Sequence, residues 1–288
     1  SLNNDLLFAK RKGFRSSEDA PVEQWFTEQR VDHFNPLNTA TWKQRFFVND
    51  TYWDKENGGP GTFIKLVLVT STNNNNCIIF IVFIALGGEG PISPAYVTGK
   101  FILNEYAKLF KALIVGVEHR FYGKSNPTSD LSTENLRLLT TEQALADFAY
   151  FRQHIARLYK VPHHAKFVAF GGSYSGNLSA WIRLKYPQLF AASIASSAPV
   201  RAEVDFPEYM DIVADSIGEA CTARIRAATD VIDQMLDTPT GTAQLQTMFG
   251  ACKPIQTSID KTVFVSSLAD PVQGVVQYNN DNNNYQPM

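Results

Sequence analysis

Short apolar runs alternate with amphipathic stretches through the middle of the chain. Residues 113–120 (LIVGVEHR) and 166–172 (KFVAFGG) are two such runs, and residues 191–199 (AASIASSAP) form a third. Continuous apolar runs of this length are typical of strands buried within a parallel sheet. We therefore expect three buried parallel strands in this part of the chain.

Two amphipathic segments separate these runs. The first has apolar residues at steps of four and three, namely Ala144, Phe148, Phe151, Ile155 and Leu158. This spacing predicts a helix with one apolar face, and Thr140 with Gln143 three residues later predicts its N-terminal cap. A second helix is expected over residues 177–186, closed by Pro187. The alternation of strands and helices predicts a doubly wound α/β sheet.

The two ends of the chain follow other patterns. Residues 24–53 are rich in aromatic residues and predict short antiparallel strands, with turns at Asn35-Pro36 and Asn49-Asp50. From Asp205 onward the pattern is that of amphipathic helices without strands. We expect residues 1–204 to be the N-terminal part of the α/β domain and residues 205–288 to be part of an inserted helical lid.

Residues 62–86 differ in composition from their surroundings. Two apolar runs flank a polar centre that contains four consecutive Asn residues, and neither run is long enough to cross a bilayer. A hairpin is one interpretation, because Asn-rich loops favour turns. The other is that part of the segment is extraneous, such as translated non-coding sequence.

Composition and charge exclude several classes of protein. Of the 288 residues 44% are hydrophobic, which excludes a disordered or fibrous chain. The formal net charge is −2, so no long-range field attracts nucleic acid or an anionic membrane. We expect neither as a partner.

Three cysteines, at positions 77, 221 and 252, are too few for a disulfide scaffold and lack the spacing of a metal site. One disulfide between Cys221 and Cys252 is a reasonable expectation, and two unpaired buried thiols are the alternative. The first residue is Ser1, and no signal-peptide pattern follows it. We interpret this as a removed signal peptide or a record that is incomplete at its start. The sequon Asn49-Asp50-Thr51 is a candidate glycosylation site on the secretory route.

The residues that carry chemistry follow the second predicted strand, in the sequence GGSYSG at 171–176. A serine at a sharp turn from strand to helix is the nucleophile elbow of α/β-hydrolases, whose usual pattern is G-x-S-x-G. Gly171 fits that pattern, whereas Ser175 replaces the second glycine but is still small. Ser173 is therefore the candidate nucleophile, and an ordinary Gly-Ser loop is the alternative.

An oxyanion site needs a second backbone N–H from the loop after an earlier strand. The sequence GGEGP at 87–91 fits that place, with Gly88 or Glu89 as the donor, although a plain Gly-rich turn has the same composition. No histidine follows Ser173, and in this fold the acid and the histidine come after the serine. We therefore expect an incomplete enzyme or a pseudo-enzyme, with His119 in a structural role near the site.

The chain resembles the prolyl carboxypeptidase family of serine peptidases. The resemblance rests on ordered blocks that include VDHFNP (31–36), GGEGP (87–91), EHRFYGKS (118–125), TTEQALADF (140–148) and ASSAPVRAEVDFPEY (195–209). It covers residues from about 22 to 280, apart from the segment 62–86.

This resemblance implies an α/β-hydrolase with a helical lid, here incomplete at its C-terminal end. It implies Ser173 as nucleophile, the N–H of Tyr174 as oxyanion donor, and a triad Asp and His beyond residue 288. It also supports the pairing of Cys221 with Cys252. The implied activity is that of an exopeptidase on peptides, often at Pro-containing termini, in a lysosomal or secreted location. No metal or organic cofactor is implied, and a homodimer is a possible assembly.

Two alternatives to a serine exopeptidase stay open at this point. One is a catalytically inactive product that binds peptides or does nothing. The other is an esterase on the same fold, because a fold does not determine its substrate. The region after residue 205 is mixed and polar, without a broad apolar face for lipid, which weighs mildly against a lipase.

Overall fold

The computed structural model describes residues 21–60, 78–99 and 101–279. Two sheets lie within these residues. Their strands are β1 (Gln24–Arg30), β2 (Thr41–Asn49), β3 (Gly59–Pro60), β4 (Ile78–Ile79), β5 (Ile81–Leu86), β6 (Leu113–Val117), β7 (Lys166–Gly172) and β8 (Ala192–Ser196). The helices are α1 (Ala95–Thr98), α2 (Ile102–Phe110), α3 (Thr133–Leu136), α4 (Thr141–Leu158), α5 (Tyr174–Lys185), α6 (Glu208–Ile217), α7 (Glu219–Leu236), α8 (Pro239–Met248) and α9 (Ser258–Gln277).

The larger sheet has six strands in the order β1-β2-β6-β5-β7-β8. Strand β2 pairs antiparallel with both β1 and β6. The pairs β6-β5, β5-β7 and β7-β8 are parallel. The three predicted strands are thus confirmed as β6, β7 and β8, each with a parallel partner. The expected burial holds for β6 and most of β7 but was wrong for β8, an edge strand whose last two residues are exposed. The sheet with its helices is an α/β-hydrolase fold, as expected from the alternation of elements.

The central strands β5 and β6 are buried on both faces, and this explains their uninterrupted apolar runs. Along β5, Val82, Ile84 and Leu86 face one hydrophobic cluster, which helices α4 and α5 cover. Ile81 and Phe83 face the other cluster, to which Leu103, Ala107 and Phe110 of α2 contribute. Alternate side chains therefore enter two separate layers of core, as the pleat of a strand requires.

Helix α4 forms where the apolar spacing predicts it. The Thr140 hydroxyl accepts a hydrogen bond from the backbone N–H of Gln143 at 3.2 Å, which confirms the predicted cap. The Gln143 side chain does not complete a capping box, because its Oε1 accepts instead from the backbone N–H of His33 at 2.9 Å. Leu158, the last residue of the predicted apolar face, is 50% exposed.

The segment 62–86 belongs only in part to what the structure describes. Residues 61–77 lie outside the described residues, and with them Cys77 and most of the segment. Residues 81–86 form β5, which lies between β6 and β7 and is buried throughout. The last six residues of the segment therefore form a central strand, and the hypothesis that another part of it is extraneous stays a prediction.

The chain divides into two compact units between Ala202 and Glu203. From residue 203 to residue 279 the described structure consists of helices α6 to α9, as the pattern predicts. A small core in this second unit contains Leu236, Leu245 and Ile255. Within the residues that the structure describes, no helix combines the length and the apolarity needed to cross a bilayer.

Candidate active site

Ser173 occupies the turn between β7 and α5. Its backbone angles are φ 57° and ψ −132°, a combination that residues other than glycine rarely adopt. The Ser173 N–H donates to the carbonyl of Ser196 at 3.0 Å, and its carbonyl accepts from the N–H of Asn177 at 3.2 Å. The side chain makes no cap hydrogen bond to the helix that follows, and the residue is exposed. The turn therefore holds a strained serine at the surface, above the carboxyl end of the sheet.

Close backbone contacts explain which small residues this turn needs. A Cβ atom on Gly171 would overlap the carbonyl oxygen of Ser175, and one on Gly176 would lie 2.9 Å from the carbonyl oxygen of Ser196. Both positions require glycine for space. Position 175 is different, because it accommodates a serine side chain. The Ser175 hydroxyl donates to the carbonyl of Leu86 at 2.7 Å. The departure from the G-x-S-x-G pattern is therefore accommodated by a hydrogen bond to the end of β5.

The GGEGP loop leaves β5 beside this turn. Gly87 donates its N–H to the carbonyl of Val117 at 2.8 Å, and a Cβ at that position would lie 2.8 Å from the nitrogen of His119. Gly88 packs against the elbow, where a Cβ would lie 3.3 Å from that of Ser175. Gly88 is buried and Glu89 is exposed. The carboxyl ends of neighbouring parallel strands thus bring together the two segments that the sequence singles out.

His119 lies beneath the elbow and is completely buried. Its Nδ1 lies 2.7 Å from the carbonyl oxygen of Arg120, and its Nε2 lies 3.1 Å from the hydroxyl of Tyr174. A carbonyl oxygen can only accept, so Nδ1 carries the proton and Nε2 accepts from Tyr174. Burial lowers the pKa of His119, which favours this neutral form. His119 is therefore a structural group that contacts the residue after Ser173, as expected, and both of its nitrogens are engaged.

Tyr174 has the protonation state that this contact needs. Burial raises the pKa of its phenol, a hydrogen bond with the Thr141 side chain opposes this rise, and the charges of Tyr122 and Glu89 add to it. The phenol therefore stays protonated at neutral pH and donates to His119. The aromatic rings of His119 and Tyr174 also pack against each other, with centroids 5.7 Å apart.

Glu118 holds a buried ionic cluster that the sequence analysis did not identify. Its carboxylate pairs with Arg45 and accepts from the N–H of Ile92 at 3.0 Å and from the Ser125 hydroxyl at 2.7 Å. Arg45 in turn donates to the carbonyl of Ile92 at 3.1 Å. The only signal in the sequence is the position of Glu118 directly before His119, where the apolar run of β6 ends.

The other histidines with described contacts have partners away from the elbow. His33 pairs with Asp147, with 2.7 Å between Nε2 and Oδ1, and the ring of His154 stacks on Phe26 with centroids 4.4 Å apart. In the part of the chain that the structure describes, no group of three His, Cys, Asp or Glu side chains is placed to hold a metal ion. The 288 residues contain no histidine after position 164.

The expected disulfide is not formed, because Cys221 and Cys252 are both exposed free thiols. Ala251, next to Cys252, packs in the same cluster as Ile232 of α7. Cys221 precedes Ile232 by three helical turns, about 16 Å along the axis. A disulfide needs Cα atoms within about 7 Å of each other, so the packing of α8 on the C-terminal half of α7 separates the two thiols.

The candidate glycosylation site is engaged in the fold. Asn49 is half-buried at the end of β2, and its Nδ2 donates to the carbonyl of Val97 at 2.9 Å. A glycan would be attached to this same nitrogen. The described fold therefore does not favour modification at Asn49.

Two human proteins are similar to most of this chain. Human thymus-specific serine protease is 35% identical over 270 residues, which cover 90% of this chain and 47% of that protein. Human lysosomal Pro-X carboxypeptidase is 33% identical over 239 residues, which cover 80% of this chain and 44% of that protein. The chain spans about half the length of the curated relatives it matches.

Among solved structures, the acylaminoacyl peptidase of Pyrococcus horikoshii aligns with this chain at 15% identity and a TM-score of 0.39. The aligned region covers 68% of this chain and 25% of the peptidase. A likeness this remote adds nothing to the fold described above. The family model of serine carboxypeptidase S28 matches residues 69–288, which is most of the chain and includes the GGEGP loop, the EHR sequence and the elbow. This chain therefore belongs to the serine carboxypeptidase S28 family of serine peptidases.

Proposed function

We propose that this chain carries the nucleophile and the oxyanion donors of a serine-type exopeptidase. Ser173 forms the acyl-enzyme, and the triad acid and histidine are supplied by sequence beyond these 288 residues. The observation that carries the proposal is an exposed Ser173 in a strained turn, with the loop of Gly88 packed against Ser175. Strain of this kind is typical of the nucleophile elbow.

The reaction proposed for Ser173 is acyl transfer. Its Oγ attacks the carbonyl carbon of the scissile peptide bond while a histidine takes the hydroxyl proton. The carbonyl oxygen becomes an anion, which accepts from the N–H of Tyr174 and from that of Gly88 or Glu89. The tetrahedral intermediate then expels the amine, which receives the proton from the histidine, and water later releases the acyl group by the same steps.

The proposed donors suit this role because of their place in the fold. The first N–H groups of a helix have no partner within it, and Tyr174 is the first residue of α5. The positive end of the dipole of α5 points to the same place. Gly88 lies against Ser175 and has no side chain, so its backbone can come close to the elbow.

Support for the substrate class comes from the relatives. The name of the human Pro-X carboxypeptidase describes a lysosomal enzyme that removes a residue following proline. We propose a related preference for Pro-containing peptide ends, and a secretory or lysosomal location, for the protein to which this chain belongs.

One observation favours a second candidate, a pseudo-enzyme that is catalytically inactive even as the whole protein. A serine hydroxyl without a base attacks poorly, and these 288 residues hold no histidine after Ser173. In this case the elbow persists in the fold without turnover.

Labelling with a fluorophosphonate probe separates the two candidates. The reagent is added to the 288-residue chain and to the protein translated to the stop codon of its transcript, called here the transcript-length protein. The proposed function predicts that the transcript-length protein is labelled on the peptide that contains Ser173, and that Ser173→Ala abolishes the label. Ser129→Ala removes an exposed loop hydroxyl and serves as the matched control.

Labelling of Ser173→Ala at the wild-type level contradicts the proposal, and so does a transcript-length protein that is not labelled. A labelled transcript-length protein with an unlabelled 288-residue chain supports a triad completed from outside these residues. Turnover of a Pro-containing peptide compared with a short ester then distinguishes a peptidase from an esterase.

A further inference from the structure

Two consecutive residues at the end of β6 contact the two segments that carry the proposed oxyanion donors. Glu118 and His119 follow Val117, the last residue of the strand, and both side chains are completely buried. The sequence EHR continues an apolar run, so a buried acid and a buried imidazole at this point need a reason. Burial of such groups is costly unless their hydrogen bonds are satisfied.

Glu118 fixes the loop that contains Gly88 and Glu89. It accepts from the N–H of Ile92 at 3.0 Å, directly after the GGEGP sequence, and its partner Arg45 donates to the carbonyl of the same residue at 3.1 Å. Both polar groups of the Ile92 backbone are thus held by one buried ion pair. Charge-assisted hydrogen bonds of this kind are stronger than neutral ones.

His119 fixes the first residue of α5. Its Nε2 accepts from the hydroxyl of Tyr174 at 3.1 Å, while its Nδ1–H donates to the Arg120 carbonyl at 2.7 Å. The second bond sets the tautomer and the orientation of the ring, so Nε2 has one direction in which it can accept. The Tyr174 hydroxyl is therefore joined to the end of β6, and the Thr141 side chain is its second hydrogen-bond partner.

The backbone between these contacts is also tightly packed. Gly87 rests on residues 117–119, where any side chain would collide with the nitrogen of His119 and the carbonyl oxygen of Val117. Gly88, the next residue, packs against Ser175. The loop is thus enclosed between the end of β6 and the elbow, and it cannot shift relative to either without breaking a contact.

We propose that Glu118 and His119 are positioning residues, which hold the two backbone donors of the oxyanion site at a fixed separation. The inference rests on the proposed function. Neither side chain touches the reacting atoms, since Glu118 acts through the GGEGP loop and His119 through Tyr174. Oxyanion stabilisation depends on donors that are already in place when charge develops, so a loosened donor lowers the rate of acylation.

The test uses variants of Glu118, His119 and Tyr174 in the transcript-length protein. Glu118→Gln removes the charge that holds Ile92 and is expected to slow the labelling of Ser173 about tenfold, whereas labelling of the folded variant at the wild-type rate overturns the role of Glu118. Tyr174→Phe removes only the hydroxyl, and His119→Leu removes the acceptor. His119→Gln places an amide oxygen near the position of Nε2 and serves as the conservative variant. The second-order rate constant for fluorophosphonate labelling of Ser173 is measured on folded protein, together with kcat and KM for a Pro-containing peptide.

We expect Tyr174→Phe and His119→Leu to be labelled about tenfold more slowly, and His119→Gln to recover most of that loss. The peptide kinetics are expected to show a lower kcat with little change in KM, because the interaction acts in the transition state. If His119 had a merely structural role, the variants would have a lower folded fraction, but the folded protein would be labelled with an unchanged rate constant. His119→Gln would then show no recovery of the labelling rate.

Histidine labelled with ¹⁵N provides a readout that needs no catalysis. In the 288-residue chain, His119 is expected to be neutral with its proton on Nδ1, and Tyr174→Phe is expected to move the resonance of Nε2 towards that of a free imidazole. A proton on Nε2 of His119, or an Nε2 chemical shift that is unchanged in Tyr174→Phe, overturns the inference.

The labelling outcomes keep the two proposals apart. If wild type is labelled at Ser173 and both Tyr174→Phe and His119→Leu are labelled at the same rate, the positioning role is wrong and the proposed function stands. If wild type is not labelled at Ser173 at all, the proposed function fails and the positioning role fails with it.

Discussion

The backbone of Gly171 lies so close to the carbonyl oxygen of Ser175 that a Cβ atom on Gly171 would overlap it. This contact lies where β7 ends and α5 begins, on either side of Ser173. It makes the first glycine of the elbow a steric requirement. Its neighbour Gly172 has no such restriction, because a Cβ there would meet its nearest atom, the carbonyl oxygen of Ser196, at 4.0 Å.

The first prediction follows from this difference. We expect Gly171→Ala to lower the free energy of unfolding by about 2 kcal/mol or more, because the strand and the helix must move apart. Gly172→Ala is the matched control and should change it by less than about 1 kcal/mol. Urea denaturation followed by circular dichroism measures both, and equal effects would contradict the steric explanation.

The second prediction concerns the strain at Ser173, whose φ is 57°. Glycine adopts positive φ without a steric penalty, so Ser173→Gly should be more stable than Ser173→Ala by about 1 kcal/mol. Both variants lack the hydroxyl, so the comparison isolates the backbone. Equal stabilities of the two variants in denaturation experiments would show that the turn is not strained.

The third prediction concerns pH. Burial lowers the pKa of His119 below its ordinary value of 6.5, although the hydrogen bond to the Arg120 carbonyl and the charge of Asp147 oppose this. Below pH 6.5 the unfolded chain therefore binds a proton that the folded chain does not bind. The free energy of unfolding should fall as the pH drops below 6.5, by at most about 1.4 kcal/mol per pH unit for this group.

His119→Gln provides the control for the pH prediction, because it has no imidazole to titrate. Its free energy of unfolding should depend less steeply on pH than that of wild type between pH 5 and pH 7. His154, whose pKa burial also lowers, contributes equally to both proteins. Parallel curves for the two proteins would contradict the lowered pKa of His119.

The fourth prediction concerns the ion pair between Glu118 and Arg45, whose side chains are 0% and 8% exposed. Glu118→Gln leaves a buried guanidinium without its main counter-charge, so we expect a loss of about 3 kcal/mol in the free energy of unfolding. Lys108→Ala removes an exposed pair with Glu105 and should lower the free energy of unfolding much less, because solvent screens that pair. A cost for Glu118→Gln no greater than that for Lys108→Ala would show that the cluster is dispensable.

The fifth prediction concerns Cys221 and Cys252, which are exposed and unpaired. Iodoacetamide should alkylate both in the native protein without a reducing agent, because both thiols are accessible. Peptide mass spectrometry after proteolysis measures the modification at each site. A peptide pair joined through these two cysteines would contradict the separation of the thiols in the second unit.

The sequence by itself determined the strands β6, β7 and β8, the helix α4 with its cap at Thr140, and Ser173 as the residue at the elbow. These features depend on local patterns, namely apolar runs, helical spacing and small residues beside a turn, and local patterns can be recognised without a fold. The resemblance of ordered sequence blocks identified the family for the same reason, since it too requires only the order of residues.

The tertiary structure alone decided how distant residues meet. The contacts of His119 with Tyr174 and of Glu118 with Ile92 depend on the strand order β6-β5-β7, which aligns the carboxyl ends of three strands. The same dependence made the disulfide prediction wrong, since helix packing and not sequence spacing sets the distance between Cys221 and Cys252. Side-chain partners far apart in the sequence are chosen by the way the elements pack, and no local pattern encodes that choice.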